Sequence, residues 1–124
     1  MSMPKYLMTI VENQDAYTDT DASDADFGTV MQMHGDFAES VSRAGGEILG
    51  GEALQPISTA TFLRNTRTED VSVVDNPLPD VKEVLGGYYL VSAKDDAQAL
   101  EFAKLCPAPQ GYVELRPVWE FDAS

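Results

Sequence analysis

The sequence predicts an α+β fold in which one antiparallel sheet carries two helices on a single face. Three observations indicate it. The segments follow in the order strand, helix, strands, helix, strand. The two helical segments are amphipathic, and two of the strand segments are apolar on both sides. Two helices combined with an antiparallel sheet match the split βαβ, or ferredoxin-like, plan.

Length and charge limit the domain number and the classes of partner. The 124 residues fit one domain, spanning 1–124. The formal net charge is −13, and only eight residues are Lys or Arg. Such a surface repels phosphate backbones and anionic membranes, so we expect no nucleic-acid partner and no membrane partner. A basic protein partner stays open, and so does an acid-biased proteome in which the charge serves no specific function.

The single cysteine and the N-terminus predict the compartment. Cys106 has no second cysteine to pair with, so no intramolecular disulfide can form. The first residues do not resemble a signal peptide, and no apolar stretch approaches the roughly 20 residues that cross a bilayer. We therefore expect a cytoplasmic protein.

The N-terminal third predicts a strand and a long helix. Lys5 to Val11 alternates apolar residues on both faces, with Tyr6, Met8 and Ile10 on one side. From about Asp24 to Ala44, apolar residues recur at helical spacing. They are Phe27, Val30, Met31, His34, Phe37, Ala38 and Val41. Ser23 and Asp26 have the spacing of a capping box, and Gly45-Gly46 supplies a left-handed stop.

The acidic stretch 12–26 between them is predicted to be a solvated loop. A calcium loop is the alternative, but its spacing fails. With Asp19 at the first position, Asp24 stands where glycine is needed and Val30 where glutamate is needed. We therefore expect no metal site.

The centre of the chain predicts short strands. Glu47 to Leu54 is a Gly-interrupted strand or turn, and Ala60 to Arg64 with Val71 to Val74 resembles a hairpin. Residues 75–80 form a proline-fixed loop. A further strand is predicted over Gly87 to Ala93.

The C-terminal part predicts the second helix and the last strand. Asp95 is a good N-cap, and Pro107 ends the helix. Its predicted buried side is Ala99, Leu100, Ala103 and Cys106, with Phe102 at the margin. Tyr112 to Phe121 is the last strand, and Pro117 within it requires an edge or a bulge.

Two helices cover one face of such a sheet, so its other apolar face needs another cover. A second copy packed face to face is the simplest solution, which predicts a homodimer. The alternative is that the 60–75 hairpin covers this face within one subunit.

Several motifs in order resemble the DGPF branch of the YCII-related proteins. The stretch from Asp75 to Leu90 resembles its signature of Asp-Gly-Pro-Phe, then Lys-Glu, then a Gly-Gly-aromatic strand. Val113 to Val118 resembles its terminal Val-Glu-Val-Arg-Pro strand, and Gly51 to Pro56 also fits. Asn76 and Leu78 depart from the signature. The resemblance implies a dimeric α/β-barrel, and an association with extracytoplasmic-function sigma factors in many members.

His34 is the main candidate for chemistry. It stands eleven residues before Gly45, the spacing of the helical histidine in the proteins that the chain resembles. Imidazole can move protons near neutral pH, although a core histidine bonded to a carbonyl would give the same pattern. The acid that the resemblance implies for its partner is missing at Leu105-Cys106. Asp75 is the substitute that we predict, with a turn-forming aspartate as the alternative.

Other residues are candidates for binding. Arg116 could hold a substrate carboxylate or pair with Glu114 or Glu83. Tyr88 and Tyr89 could line a pocket or belong to the core. Cys106, at a helix C-terminus, is not predicted to be a nucleophile. The sequence contains no phosphate loop and no zinc spacing, so we expect no cofactor.

Three functions follow from these residues. The first is a dimeric small-molecule-binding or regulatory module without turnover. The second is a lyase or isomerase that uses His34 as acid or base on a small carbonyl or aromatic substrate. The third is a partner for a sigma factor or another basic regulator, met by the acidic loop.

Overall fold

The computed structural model describes residues 3–13, 24–75, 83–109 and 111–121, with the side chains of the first helix from residue 28 onward. The elements are β1 (Lys5–Asn13), α1 (Asp24–Arg43), β2 (Glu47–Ala53), β3 (Thr61–Arg64), β4 (Ser72–Asp75), β5 (Glu83–Ser92), α2 (Asp96–Ala103) and β6 (Gly111–Pro117). A short 3-10 turn spans Ile57–Thr59.

Four strands form one antiparallel sheet in the order β2-β5-β1-β6. The strands β1 and β5 therefore lie in the centre, and β2 and β6 form the edges. This confirms the predicted α+β class with two helices and an antiparallel sheet. The strand order is compatible with the ferredoxin-like plan.

The hydrophobic core lies between the helices and one face of this sheet. Phe37 and Val41 of α1 and Phe102 of α2 are buried in one cluster with side chains of the central strands. The remaining buried members are Tyr6, Met8, Ile10, Val91, Ala93, Ala99 and Cys106. Because Tyr6, Met8 and Ile10 alternate along β1, they share one face, and both helices contribute to the core on that face.

The other face of the sheet carries apolar side chains that are only half-buried. We call it the open face and define it by Leu7, Thr9, Val11, Tyr88 and Leu90. Thr9 stands opposite Tyr88, and Leu7 stands opposite Leu90, in the β1–β5 register. Among the described residues, both helices lie on the other side of the sheet.

The predicted hairpin is present as a separate two-stranded sheet of β3 and β4. Of the eight residues in its strands, Phe62 and Ser72 are half-buried and the rest are exposed. The open-face residues stay partly exposed in its presence. The hairpin therefore leaves the open face partly exposed, and the alternative that it covers this face within one subunit stays a prediction.

The predicted stop after α1 and the predicted N-cap of α2 are both confirmed. Gly45 adopts a positive φ of 93° directly after α1, as a left-handed stop requires. Asp95 caps α2 by accepting a hydrogen bond from the backbone N–H of Gln98 at 2.8 Å. The Tyr6 hydroxyl donates to Asp96 at 2.6 Å, which ties β1 to this helix. That hydrogen bond, with burial as the next cause, raises the pKa of Tyr6 to about 12.

The predicted buried side of α2 is wrong at two residues. Leu100 is half exposed, whereas Phe102 is buried. The reason is tertiary: Gly46 has no side chain, and a Cβ there would lie 2.5 Å from the Phe102 ring. The ring occupies space that the helix pattern alone cannot show.

Several strands begin or end at residues other than those predicted from the sequence. β6 ends at Pro117 rather than Phe121, and Trp119 and Phe121 are about four-fifths exposed, at 80% and 79%. Pro117 lacks the N–H that would continue the ladder. Glu12 and Asn13 belong to β1 rather than to the acidic loop, and β5 begins at Glu83 rather than Gly87.

Some predictions concern residues outside the described ranges. The Ser23–Asp26 capping box, the acidic loop from residue 14 onward and the proline loop over 76–80 fall wholly or partly there. Within the described helices, none has the length and apolarity needed to cross a membrane.

Candidate functional site

His34 and Tyr89 form a hydrogen-bonded pair between α1 and the central strand β5. The Nδ1 atom of His34 lies 2.6 Å from the Tyr89 hydroxyl oxygen. The ring centroids are 5.7 Å apart, and Phe37 packs against the Tyr89 ring at 4.8 Å. Both members of the pair are half-buried, so they lie at the edge of the core rather than at its centre.

The local sequence explains this position. Phe37 follows His34 by three residues, so both side chains lie on the same face of α1. Tyr89 stands opposite Met8 on one side and Gly51 on the other in the sheet register. Because Gly51 has no side chain, the Tyr89 ring can lie directly over β2.

Burial keeps both groups of this pair neutral. It lowers the pKa of His34 and raises the pKa of Tyr89, with the neighbouring Cys106 as a smaller cause for Tyr89. The neutral pair has two arrangements: the Tyr89 hydroxyl donates to Nδ1 and the ring proton of His34 is on Nε2, or Nδ1–H donates to the hydroxyl oxygen. Burial also raises the pKa of Cys106 to about 11, so its thiol stays protonated near neutral pH.

The pKa of His34 provides a direct test of this environment. We expect it to lie below 6.5 in the folded protein, because desolvation disfavours imidazolium. The unfolded chain then binds this proton more readily, so the His34 contribution to stability falls as pH decreases from about 6.5 towards the folded-state pKa. His34 is the only histidine, so NMR titration of its ring resonances measures the value without assignment ambiguity. A pKa above 6.5 would contradict the buried neutral pair.

Glu12 is a second polar side chain in an apolar setting. Its Oε2 atom is buried and has no hydrogen-bond partner among the described residues. A cavity of about 10 Å³ beside it is lined by Leu54–Ile57 and Val84–Gly86, which is about the smallest volume that can hold one water. A Cβ at Gly86 would lie 2.2 Å from Oε2, so this glycine leaves room for the carboxyl group. Burial raises the pKa of Glu12.

We expect the Glu12→Gln substitution to change how stability depends on pH. With its folded-state pKa raised, Glu12 stabilises the fold below about 4.5 and loses that contribution as pH rises through the folded-state value. The Glu12→Gln variant has no carboxyl group at this position, so its stability does not fall for this reason as pH rises. At neutral pH it should be as stable as the wild type or more stable by up to about 1 kcal/mol, a figure kept small because partial exposure screens the charge.

Urea denaturation across pH 4 to 8, with Glu52→Gln as an exposed control, measures the Glu12 effect. An identical pH dependence in wild type and Glu12→Gln would contradict it.

The other predicted site residues lie elsewhere. Asp75 accepts a hydrogen bond from the Thr61 hydroxyl at 3.1 Å across β3 and β4, and makes no hydrogen bond or ion pair with His34. Arg116 pairs with Glu114 at 3.0 Å, and both side chains are largely exposed. Tyr88 lies on the open face. The structure therefore brings His34 and Tyr89 together, whereas Asp75 and Arg116 bond other residues and Tyr88 lies on the opposite face of the sheet from Tyr89.

Two features of the site were not predicted from the sequence. Tyr89 was a binding candidate, but its pairing with His34 depends on the helix lying over β5. Glu12 was assigned to the solvated loop, although the apolar run before it was a usable signal that the strand continues. Across the described residues, no three His, Cys, Asp or Glu side chains are grouped to hold a metal ion.

Comparison with known proteins found a match at the family level. A family model described as the YCII-related domain matches residues 5–122, nearly the whole chain. No curated protein matches the chain.

Proposed function

The chain belongs to the YCII-related family, and we propose that it is one subunit of a homodimer that binds a small organic molecule at the His34–Tyr89 pair. The observation that carries this proposal is the 2.6 Å hydrogen bond between an imidazole and a phenol at the edge of the core. The pair leaves the other ring nitrogen of His34 and a lone pair of the Tyr89 oxygen for further hydrogen bonds.

The chemistry of the pair favours a neutral ligand with a polar oxygen. In the arrangement in which Tyr89 donates to Nδ1, the Nε2–H of His34 can donate to a carbonyl or phenol, and the Tyr89 oxygen can accept a further hydrogen bond. The adjoining Phe37 ring favours an apolar or aromatic body. A small carbonyl or aromatic compound fits both requirements.

Binding without turnover is the function that the geometry supports best. A general base is ordinarily oriented by a second group, often a carboxylate. In the described part of the chain, His34 has Tyr89 as its hydrogen-bond partner and no carboxylate. The alternative is a lyase or isomerase in which His34 and Tyr89 exchange the proton of the substrate. The short distance between them favours it as the second candidate.

An NMR titration of the His34 ring with phenol and acetylacetone tests the proposal. We expect saturable shifts in the wild type and their loss in Tyr89→Phe. Tyr112→Phe, at a half-exposed tyrosine, is the matched control and should bind normally. Absence of a shift with both probes would count against the site. Consumption of a probe by the wild type, abolished in His34→Gln, would favour the enzyme.

The homodimer is proposed because the two central strands present partly exposed apolar side chains on the open face. Leu7, Val11, Tyr88 and Leu90 form one continuous patch across the two central strands. A two-fold axis through this patch would cover it with its own copy, forming the dimeric barrel. Light scattering at micromolar concentration should give twice the mass of one chain, and a single-chain mass would contradict the dimer.

The regulatory version of this proposal concerns a basic partner. The chain resembles the DGPF branch in its motifs, and its net charge of −13 suits a basic protein surface. Association with a sigma factor should then weaken as salt increases. No association at low salt would exclude this role while leaving small-molecule binding untouched.

A further inference from the structure

The helix-covered face of the sheet is open at one end, next to the His34–Tyr89 pair. Tyr89 of β5 stands opposite Gly51 of β2, and Gly87 of β5 stands opposite Ala53. Because residues two apart along a strand share one face, these three small residues lie on the same side of the sheet as Tyr89. Ala53 is exposed there, so α1 does not cover this part of the sheet. We call the surface formed by Gly51, Ala53 and Gly87 the shelf.

Glu12 lies at the far end of the shelf. It stands four residues beyond Met8 on β1, and Met8 is opposite Tyr89. The pairing of β1 with β6 runs without a shift from Tyr6 to Glu12, so Met8 and Glu12 share one face. Four residues of a strand span roughly 13 Å. The His34–Tyr89 pair and Glu12 therefore flank the shelf from opposite ends.

The carboxyl group of Glu12 lies beside the β2 end of the shelf. The cavity next to its buried Oε2 atom is lined by Leu54, which directly follows Ala53. Gly86 leaves space for the carboxyl group, and the β1–β5 register shifts close to it. Such β-bulges often redirect a side chain beside a functional site. Glu12 as a whole stays partly exposed, so a molecule on the shelf can reach its carboxyl group.

The charge of Glu12 identifies the chemical group that fits this end. A buried carboxylate oxygen is costly unless a donor or a cation satisfies it. Among the described residues, the ion pairs join Arg43, Lys104 and Arg116 to other acids, and Oε2 of Glu12 has no hydrogen-bond partner. A positively charged amine would donate a charge-assisted hydrogen bond to it. The glycine and alanine floor of the shelf suits an apolar body between the two polar ends.

We propose that the shelf binds a phenol or carbonyl compound that also carries a positively charged amine. The oxygen of this ligand bonds the His34–Tyr89 pair, as in the proposed function on which this inference rests, and its amine bonds the carboxyl group of Glu12. An extended tyramine (4-hydroxyphenethylamine) molecule with a hydrogen bond at each end has about the length of the shelf. Glu12 thereby selects amines among the ligands of the pair.

Two probes that differ only in the amine test the shelf. Tyramine and 4-ethylphenol share the phenol and the two-carbon arm, and NMR titration of the His34 ring gives a dissociation constant for each. Wild type should bind tyramine at least about 10-fold more tightly, through one charge-assisted hydrogen bond. In Glu12→Gln this ratio should fall below about threefold. Glu52→Gln should keep it, because Glu52 stands opposite Tyr88 and so lies on the open face. Circular dichroism establishes that each variant is folded.

The shelf and the pair can fail separately. A wild type that binds neither probe overturns the proposed site and the shelf together. Saturable binding of 4-ethylphenol with tyramine bound no more tightly overturns the role of Glu12 alone, since water then satisfies its carboxyl group. A preference for tyramine that persists in Glu12→Gln, or that disappears in Glu52→Gln, also overturns it. The amine would then respond to the acidic surface of the chain and not to this carboxyl group.

Discussion

Replacing Phe37 with alanine should lower the free energy of unfolding by about 3 to 5 kcal/mol, the usual cost of removing a buried aromatic ring. Phe37 is 1% exposed and is the largest of the fully buried side chains. It packs between α1 and the sheet, where few side chains can move to fill the space. A domain of this length has a free energy of unfolding of roughly 6 to 18 kcal/mol, so Phe37→Ala should remove a large part of it. Urea denaturation measures it.

The control for Phe37→Ala is a truncation on the same helix. Met31 is 53% exposed, and Met31→Ala should change the free energy of unfolding by less than about 0.5 kcal/mol. Phe37→Ala should also loosen Tyr89, because the two rings are in contact at 4.8 Å. Equal effects of the two substitutions would show that the core does not lie where the structure places it.

Local sequence signals predicted the fold where a single segment determines its own conformation. The stop at Gly45 and the cap at Asp95 each depend on neighbours within four residues. The predicted stripe of α1 is right at Phe37 and Val41 and wrong at Met31 and Ala38, which are exposed. The errors arose where distant residues decide. Phe102 is buried because Gly46 leaves space for it, and β1 continues through Glu12 because β5 pairs with it there.

The candidate site was predictable in part for the same reason. His34 could be chosen from its helix position, as the only histidine on an apolar stripe. Its partner Tyr89 could not be chosen in this way, because Tyr89 is 55 residues away and meets His34 only when α1 lies over β5. Asp75 was chosen for its place in a motif, and its hydrogen bond to Thr61 belongs to the hairpin. The catalytic role of His34 and Asp75 stays a prediction.

Adding one methyl group at Gly51 should disturb the site although neither His34 nor Tyr89 is replaced. A Cβ there would lie 2.7 Å from Cδ1 of Tyr89 and 2.9 Å from the carbonyl oxygen of Tyr88. The ring must move or the strands must separate, since a backbone oxygen cannot yield freely. We expect Gly51→Ala to cost about 1 to 3 kcal/mol, as overpacking does. It should also shift the His34 ring resonances as Tyr89 withdraws from Nδ1.

Gly50, the residue before Gly51, provides the control substitution. A Cβ at Gly50 would meet nothing within 4 Å, and neither glycine has a positive φ. Gly50→Ala should therefore be neutral or stabilise the fold by up to about 1 kcal/mol, because alanine restricts the unfolded chain. Both variants add the same atoms to the same strand, so propensity cannot separate them. Equal stability and unchanged His34 resonances in the two would mean that Gly51 does not position Tyr89, and the hydrogen-bonded pair would then need another cause.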